Sequence, residues 1–102
     1  MTTIRSVAIV GAGQMGAGIA QAVAAGGYQV LLYDNAADRV PQAQANVAAS
    51  LARQVERGLT DQASADATLS RITAASSLAA AAKADLVIEA AVEDEAVKKS
   101  IL

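Results

Sequence analysis

A glycine-spaced turn set between an apolar run and an alanine-rich stretch constrains this chain more than any other feature. Residues 6–10, Ser-Val-Ala-Ile-Val, are too few for a helix and too apolar for a loop, so they read as a buried parallel strand. Gly11-Ala-Gly-Gln-Met-Gly16 follows without a spacer. From Gln14 to Ala25 the small and apolar residues Met15, Ile19, Ala20, Ala22 and Val23 recur at helical spacing, and Gly26-Gly27 supply a stop. A second strand runs from Gln29 to Tyr33, and Asp34 closes it. A strand, a tight turn, a helix and a parallel strand in this order make a βαβ unit.

The glycine positions carry the chemistry. Gly11 permits a sharp exit from the strand, Gly13 admits close approach of a ligand to the backbone, and Gly16 lets the helix lie against the strand. Amides at the start of the helix, together with its dipole, favour an anion, and a pyrophosphate is the group that such a turn suits. Asp34 stands 23 positions after Gly11, close to the ~20 expected of an acid that holds an adenosine ribose. Its charge would repel a 2′-phosphate. The combination points to NAD(H) rather than NADP(H).

Composition limits what else the chain can do. With 102 residues it is at most one small domain, and with 54% hydrophobic residues but only two tyrosines as aromatics its core must be built from small groups. A net charge of −2 with no basic run provides no nucleic-acid footprint. The absence of cysteine rules out disulfides and thiolate metal sites and fits a reducing compartment. No export signal and no membrane-length apolar run are evident, which leads to a cytoplasmic expectation. Histidine is absent as well. The commonest general base is therefore missing.

Beyond Asp34 the sequence predicts a helical hairpin over about residues 38–69. Asp38 is a candidate N-cap and Pro41 fits a first turn. Val40, Val47, Leu51, Val55 and Leu59 form an apolar stripe, and the helix ends near Gly58. Thr60 or Asp61 caps a second helix that runs to about Leu69, with Ala63, Ala67 and Leu69 as its apolar side. A short third strand follows from Arg71 to Ala74. Ser76 or Ser77 caps a brief helix through Lys83, and Leu86 to Glu89 forms a fourth, buried strand. The expected fold class is α/β, a Rossmann-type parallel sheet ordered 3-2-1-4 with the hairpin inserted between strands two and three. The loop from Ala90 to Glu93 should then lie beside the Gly11 turn, with room for the nicotinamide half of a dinucleotide. A last helix begins at Asp94 or Glu95 and stops in mid-pattern, so the domain reads as incomplete.

GAGQMGAGIAQ, the strand ending in YD, the hairpin, the RIT strand and ADLVIEAAVED-x-x-x-K together resemble the N-terminal NAD-binding portion of the L-3-hydroxyacyl-CoA dehydrogenase family. The likeness runs from about Ile4 to Leu102. It implies that Gly11, Gly13, Gln14, Met15 and Gly16 line the pyrophosphate, that Asp34 holds the adenosine ribose, and that Ala90, Ala91, Glu93 and Lys98 serve the nicotinamide-ribose side. It also implies that Ser50 and Arg57 meet the coenzyme A portion of the substrate, although the family position of Arg57 typically holds lysine. The family's catalytic histidine, its orienting glutamate, and a serine and an asparagine near the substrate carbonyl belong to sequence beyond Leu102. So does a helical C-terminal domain that builds the acyl site and a homodimer. The resemblance thus implies an NAD-dependent parent enzyme interconverting 3-hydroxyacyl-CoA and 3-ketoacyl-CoA, with these 102 residues binding NAD but inactive alone. A free-standing nucleotide-binding module and a related gulonate-type dehydrogenase are the alternatives.

Overall fold

A computed structural model describes residues 3–36 and 38–90. Four strands, β1 (Ser6–Val10), β2 (Gln29–Tyr33), β3 (Ile72–Ala74) and β4 (Leu86–Glu89), form one parallel sheet in the order β3-β2-β1-β4. Val7 pairs with Val30 on one side and Leu86 on the other, so β1 is flanked along its length. Its Val7, Ala8 and Ile9 are buried. The expected strand order holds, with β3 beginning at Ile72 rather than Arg71.

Helix α1 (Gln14–Ala25) lies on the sheet through Gly16, Ala17, Ala20 and Ala24. The alanine-rich pattern determines this contact, because small side chains are what permit a helix axis close to a strand. Of the expected residues Met15, Ile19, Ala20, Ala22 and Val23, Ala20 alone is fully buried in this contact. Ile19 and Val23 are only partly buried at the edge of the core, and Met15 and Ala22 are exposed. The Gly26 amide, bonded to the carbonyls of Ala22 and Val23, ends the helix as expected.

Helix α2 (Arg39–Glu56) turns Val40, Ala43, Val47 and Leu51 inward, with Val55 half-buried behind them. Leu59 departs from the predicted stripe and is 72% exposed. The helix has already ended, and Gly58 takes φ 74°, which swings the chain away from the stripe. Asp38 precedes α2 but accepts no capping hydrogen bond. Its backbone is itself helical, at φ −73° and ψ −15°, and a capping side chain needs an extended backbone to aim at the amides ahead.

Asp61 does meet that requirement. It is extended, and its Oδ1 accepts from the Ser64 amide at 2.7 Å, starting α3 (Gln62–Ser70). The buried side of α3 is Ala65 and Thr68 rather than Ala63, Ala67 and Leu69; Ala63 is exposed and the other two are half-buried. Thr68 becomes tolerable inside because its Oγ1 donates to the Ser64 carbonyl at 2.9 Å. Arg71 then pins the hairpin to α1, its Nη1 donating at 2.8 Å to the Ala24 carbonyl, which also accepts from the Gly27 amide at 3.0 Å. Ser77, not Ser76, caps the short α4 (Leu78–Ala81), accepting from the Ala80 amide at 3.0 Å.

At the opposite sheet edge β4 is not the buried strand expected. Leu86 is 43% and Val87 42% exposed, and only Ile88 is partly covered. Among the described residues β4 has a strand on one side only. Its start is tied down by Asp85, whose Oδ2 accepts from the Arg5 and Ser6 amides at 2.8 and 3.1 Å, while its own amide donates to Ser6 Oγ at 3.1 Å. These bonds hold the Asp85 carboxyl below its usual pKa, the Arg5 amide being the largest cause. The Asp61 carboxyl is lowered likewise by Ser64.

Candidate functional site: the glycine turn and the tip of the second strand

The turn after β1 is built by two backbone anchors. Gly11, at φ 112°, reverses the chain in a conformation that side chains disfavour, and its amide donates to the Tyr33 carbonyl at 2.7 Å. Helix α1 then returns over the strand end so closely that a Cβ on Gly16 would overlap the Gly11 carbonyl oxygen. Gly13 occupies the N-cap position at φ −75°, a conformation open to any residue. The start of α1 has no capping side chain and no acid in its first turn. The positive end of the helix thus carries no acid of its own first turn and favours an anion.

Asp34 closes the other side. Its Oδ2 accepts from the Ala12 amide at 2.8 Å and its Oδ1 from the Ala36 amide at 2.8 Å, and its side chain is only 6% exposed. The carboxylate thus clamps the glycine turn onto the tip of β2. The bond to Ala36 is an Asx turn, a signal that Asp-Asn-Ala carries locally. The bond to Ala12 joins residues 22 apart and has no local signature. Each oxygen retains a lone pair, so two acceptor positions remain for sugar hydroxyls. Arg39, the first residue of α2, places Nη1 3.9 Å from Asp34 Oδ2 with its side chain 60% exposed.

Two clefts open beside Asp34. One of about 220 Å³ is bounded by Gly11, Tyr33, Asp34, Asn35 and Leu78. The other, about 340 Å³, lies between Asp34, Asn35, Pro41 and Ser76. Asn35 and Leu78 were not singled out from the sequence; nothing local marks them, since they meet only when α4 is laid beside β2. Ala90 is buried at the end of β4, its amide donating to the Val10 carbonyl at 2.8 Å and its methyl facing the Gly16 position. The sheet therefore brings Gly11, Gly13, Gln14, Met15, Gly16, Asp34 and Ala90 to one end. Ala91, Glu93 and Lys98 lie outside the described residues.

Ser50 and Arg57 sit elsewhere, on the long helix of the hairpin. Ser50 Oγ accepts from Gln21 Nε2 at 3.1 Å, so the hydroxyl is steered by α1. Arg57 is exposed where α2 ends. Between α1 and α2 runs a polar cleft of about 310 Å³ lined by Gln14, Gln21, Asn46 and Arg53 among others. It reaches from Gln14 beside the glycine turn to Arg53.

A profile of the family described as "3-hydroxyacyl-CoA dehydrogenase, NAD binding domain" matches residues 6–102. The chain belongs to this family. It carries the family's NAD-binding domain. Similar proteins include a 3-hydroxybutyryl-CoA dehydrogenase of Bradyrhizobium diazoefficiens, 46% identical over 96% of this chain and 33% of the relative. A 3-hydroxyadipyl-CoA dehydrogenase of Escherichia coli is 43% identical over 99% of this chain and 21% of the relative. In solved structures, a 3-hydroxybutyryl-CoA dehydrogenase from Ralstonia eutropha superposes with a TM-score of 0.85 at 40% identity, covering 97% of this chain and 35% of that one. The chain spans about a third or less of the length of these relatives.

Proposed function

We propose that the chain is the coenzyme-binding unit of an oxidoreductase that interconverts 3-hydroxyacyl-CoA and 3-ketoacyl-CoA. The observation that carries this is the junction of the uncapped α1 start with the amide-clamped Asp34 across the Gly11 turn. The donor set fits a dinucleotide: the positive start of a helix for a diphosphate on one side, and a fixed carboxylate with spare lone pairs for a ribose on the other. In this reading Gly11, Gly13, Gln14, Met15 and Gly16 hold the pyrophosphate and Asp34 the adenosine ribose. Ala90, with Ala91, Glu93 and Lys98 after it, borders the nicotinamide ribose. NAD, when bound, supplies the hydride acceptor.

In this reading the hydroxyl proton is taken by the histidine that the family resemblance implies outside these residues, the chain itself having none. The chain alone is therefore inactive, and a C-terminal helical domain would supply the base, the acyl site and a homodimer contact. Ser50 and Arg57 would meet the coenzyme A part of the substrate, with the Gln21 bond orienting the Ser50 hydroxyl. Among the described residues no helix is long and apolar enough to cross a membrane. We place the enzyme in the cytoplasm, where acyl-CoA and NAD pools meet; a role in fatty-acid oxidation is in line with the names of two relatives, both alpha subunits of a fatty acid oxidation complex.

Calorimetric titration with NADH tests the reading. Saturable binding is expected, with ADP-ribose competing, because it carries the diphosphate and both riboses without the nicotinamide. No heat with NADH, or no competition by ADP-ribose, would overturn it.

A further inference from the structure

Asp34 and Arg39 differ in how firmly they are held. The carboxylate is nearly buried and fixed by two amide donors, Ala12 and Ala36, at 2.8 Å each. It cannot rotate away without breaking both. The Arg39 guanidinium is mostly exposed and 3.9 Å from Asp34 Oδ2, beyond hydrogen-bond distance. Such a contact is a weak ion pair, and Arg39 has no other among the described residues. A firmly bonded anion and a weakly held, exposed cation thus share the rim of the proposed ribose site.

We propose that Arg39 is a specificity-determining residue that, against Asp34, sets how strongly the site discriminates between NAD(H) and NADP(H). This rests on the coenzyme reading above. A ribose 2′-hydroxyl can donate to a spare lone pair of Asp34, whereas a 2′-phosphate has nothing to donate and meets a carboxylate that cannot retreat. Arg39 is within reach of the same place, and its planar fork suits a phosphate. Asp34 therefore discriminates twice: it repels the phosphate, and it draws off the cation that would otherwise receive it. Because the pair is loose, Arg39 can leave Asp34 for a 2′-phosphate, and NADP(H) is disfavoured without being excluded.

The test is titration of NADH and NADPH into the native protein and into Arg39→Ala, Asp34→Asn and the double variant, each checked for cooperative melting. Native protein should bind NADPH at least ~10-fold more weakly than NADH, and Arg39→Ala should weaken NADPH by a further ~5- to 30-fold while NADH stays within ~3-fold, as expected for loss of a charge-assisted contact. Asp34→Asn should bring NADPH at least ~10-fold closer to NADH, a gain lost in the double variant. Equal effects of Arg39→Ala on both coenzymes, or no NADPH binding by the native protein, would overturn the inference while leaving the coenzyme reading intact. Failure of NADH to bind would remove both. If Asp34→Asn does not melt cooperatively, the Arg39→Ala comparison decides alone.

Discussion

Asp34 shows why a residue's spacing and its role are different kinds of information. Its distance from Gly11 suggests a sugar contact, but its carboxylate also holds the Ala12 and Ala36 amides in place. Replacement by alanine leaves both donors without an acceptor at a partly buried site, a cost of about 1–3 kcal/mol for each that water does not reach. Asp34→Ala is therefore expected to melt at lower temperature even without coenzyme, measurable by circular dichroism, and weaker NADH binding in that variant would have two causes. Gly16 is simpler. A methyl there overlaps the Gly11 carbonyl oxygen, so Gly16→Ala should lose about 1–3 kcal/mol, the usual cost of overpacking, seen as a lower denaturant midpoint. Gly18 gives the contrast: a Cβ there meets nothing within 4 Å, and Gly18→Ala should gain up to about 1 kcal/mol from helix propensity.

Elements in this fold are held at their ends by short polar side chains. Asp61 starts α3 and Asp85 joins the beginnings of β4 and β1. Both carboxyls have lowered pKa values, Asp61 through the Ser64 side chain and then its amide, Asp85 chiefly through the Arg5 and Ser6 amides. A carboxyl lowered in the folded state favours folding fully above its unfolded pKa, and that contribution fades as pH falls through the folded value. The melting temperature should thus decline as pH is taken from about 6 toward about 3. Asp85→Asn should melt lower than the native protein at neutral pH and show a flatter acid limb in a melting series across pH. Of the two ends, the α3 cap is legible in the sequence as Thr60 or Asp61, since a capping residue and its amide are three positions apart, and the structure decides for Asp61. The Asp85 tie, across 80 residues to Arg5, is not legible there.

On the scale of the whole molecule, β4 presents a partly apolar edge. Leu86 and Val87 are exposed, and among the described residues no strand covers the outer side. Open edges with apolar side chains pair with other chains. The protein should self-associate with rising concentration in light scattering, and Val87→Lys should reduce this while changing the melting temperature little, because Val87 is already 42% exposed. A monomer at all concentrations would contradict the edge argument.

The sequence by itself determined the strands, the order of helices, the glycine turn and the parallel 3-2-1-4 sheet, because each depends on neighbours a few residues apart or on the topology that short βαβ connections impose. It also led to the family through motifs that lie at chain-local spacings. Only the tertiary structure decided which side of α1 faces the sheet, that Leu59 and β4 stay in solvent, and that Asp34 reaches back to Ala12 while Arg39 rests beside it. Those outcomes depend on how closely elements approach and on which polar groups then find partners. Such distances are not properties of any one segment, and they exist only once the sheet has closed the chain upon itself.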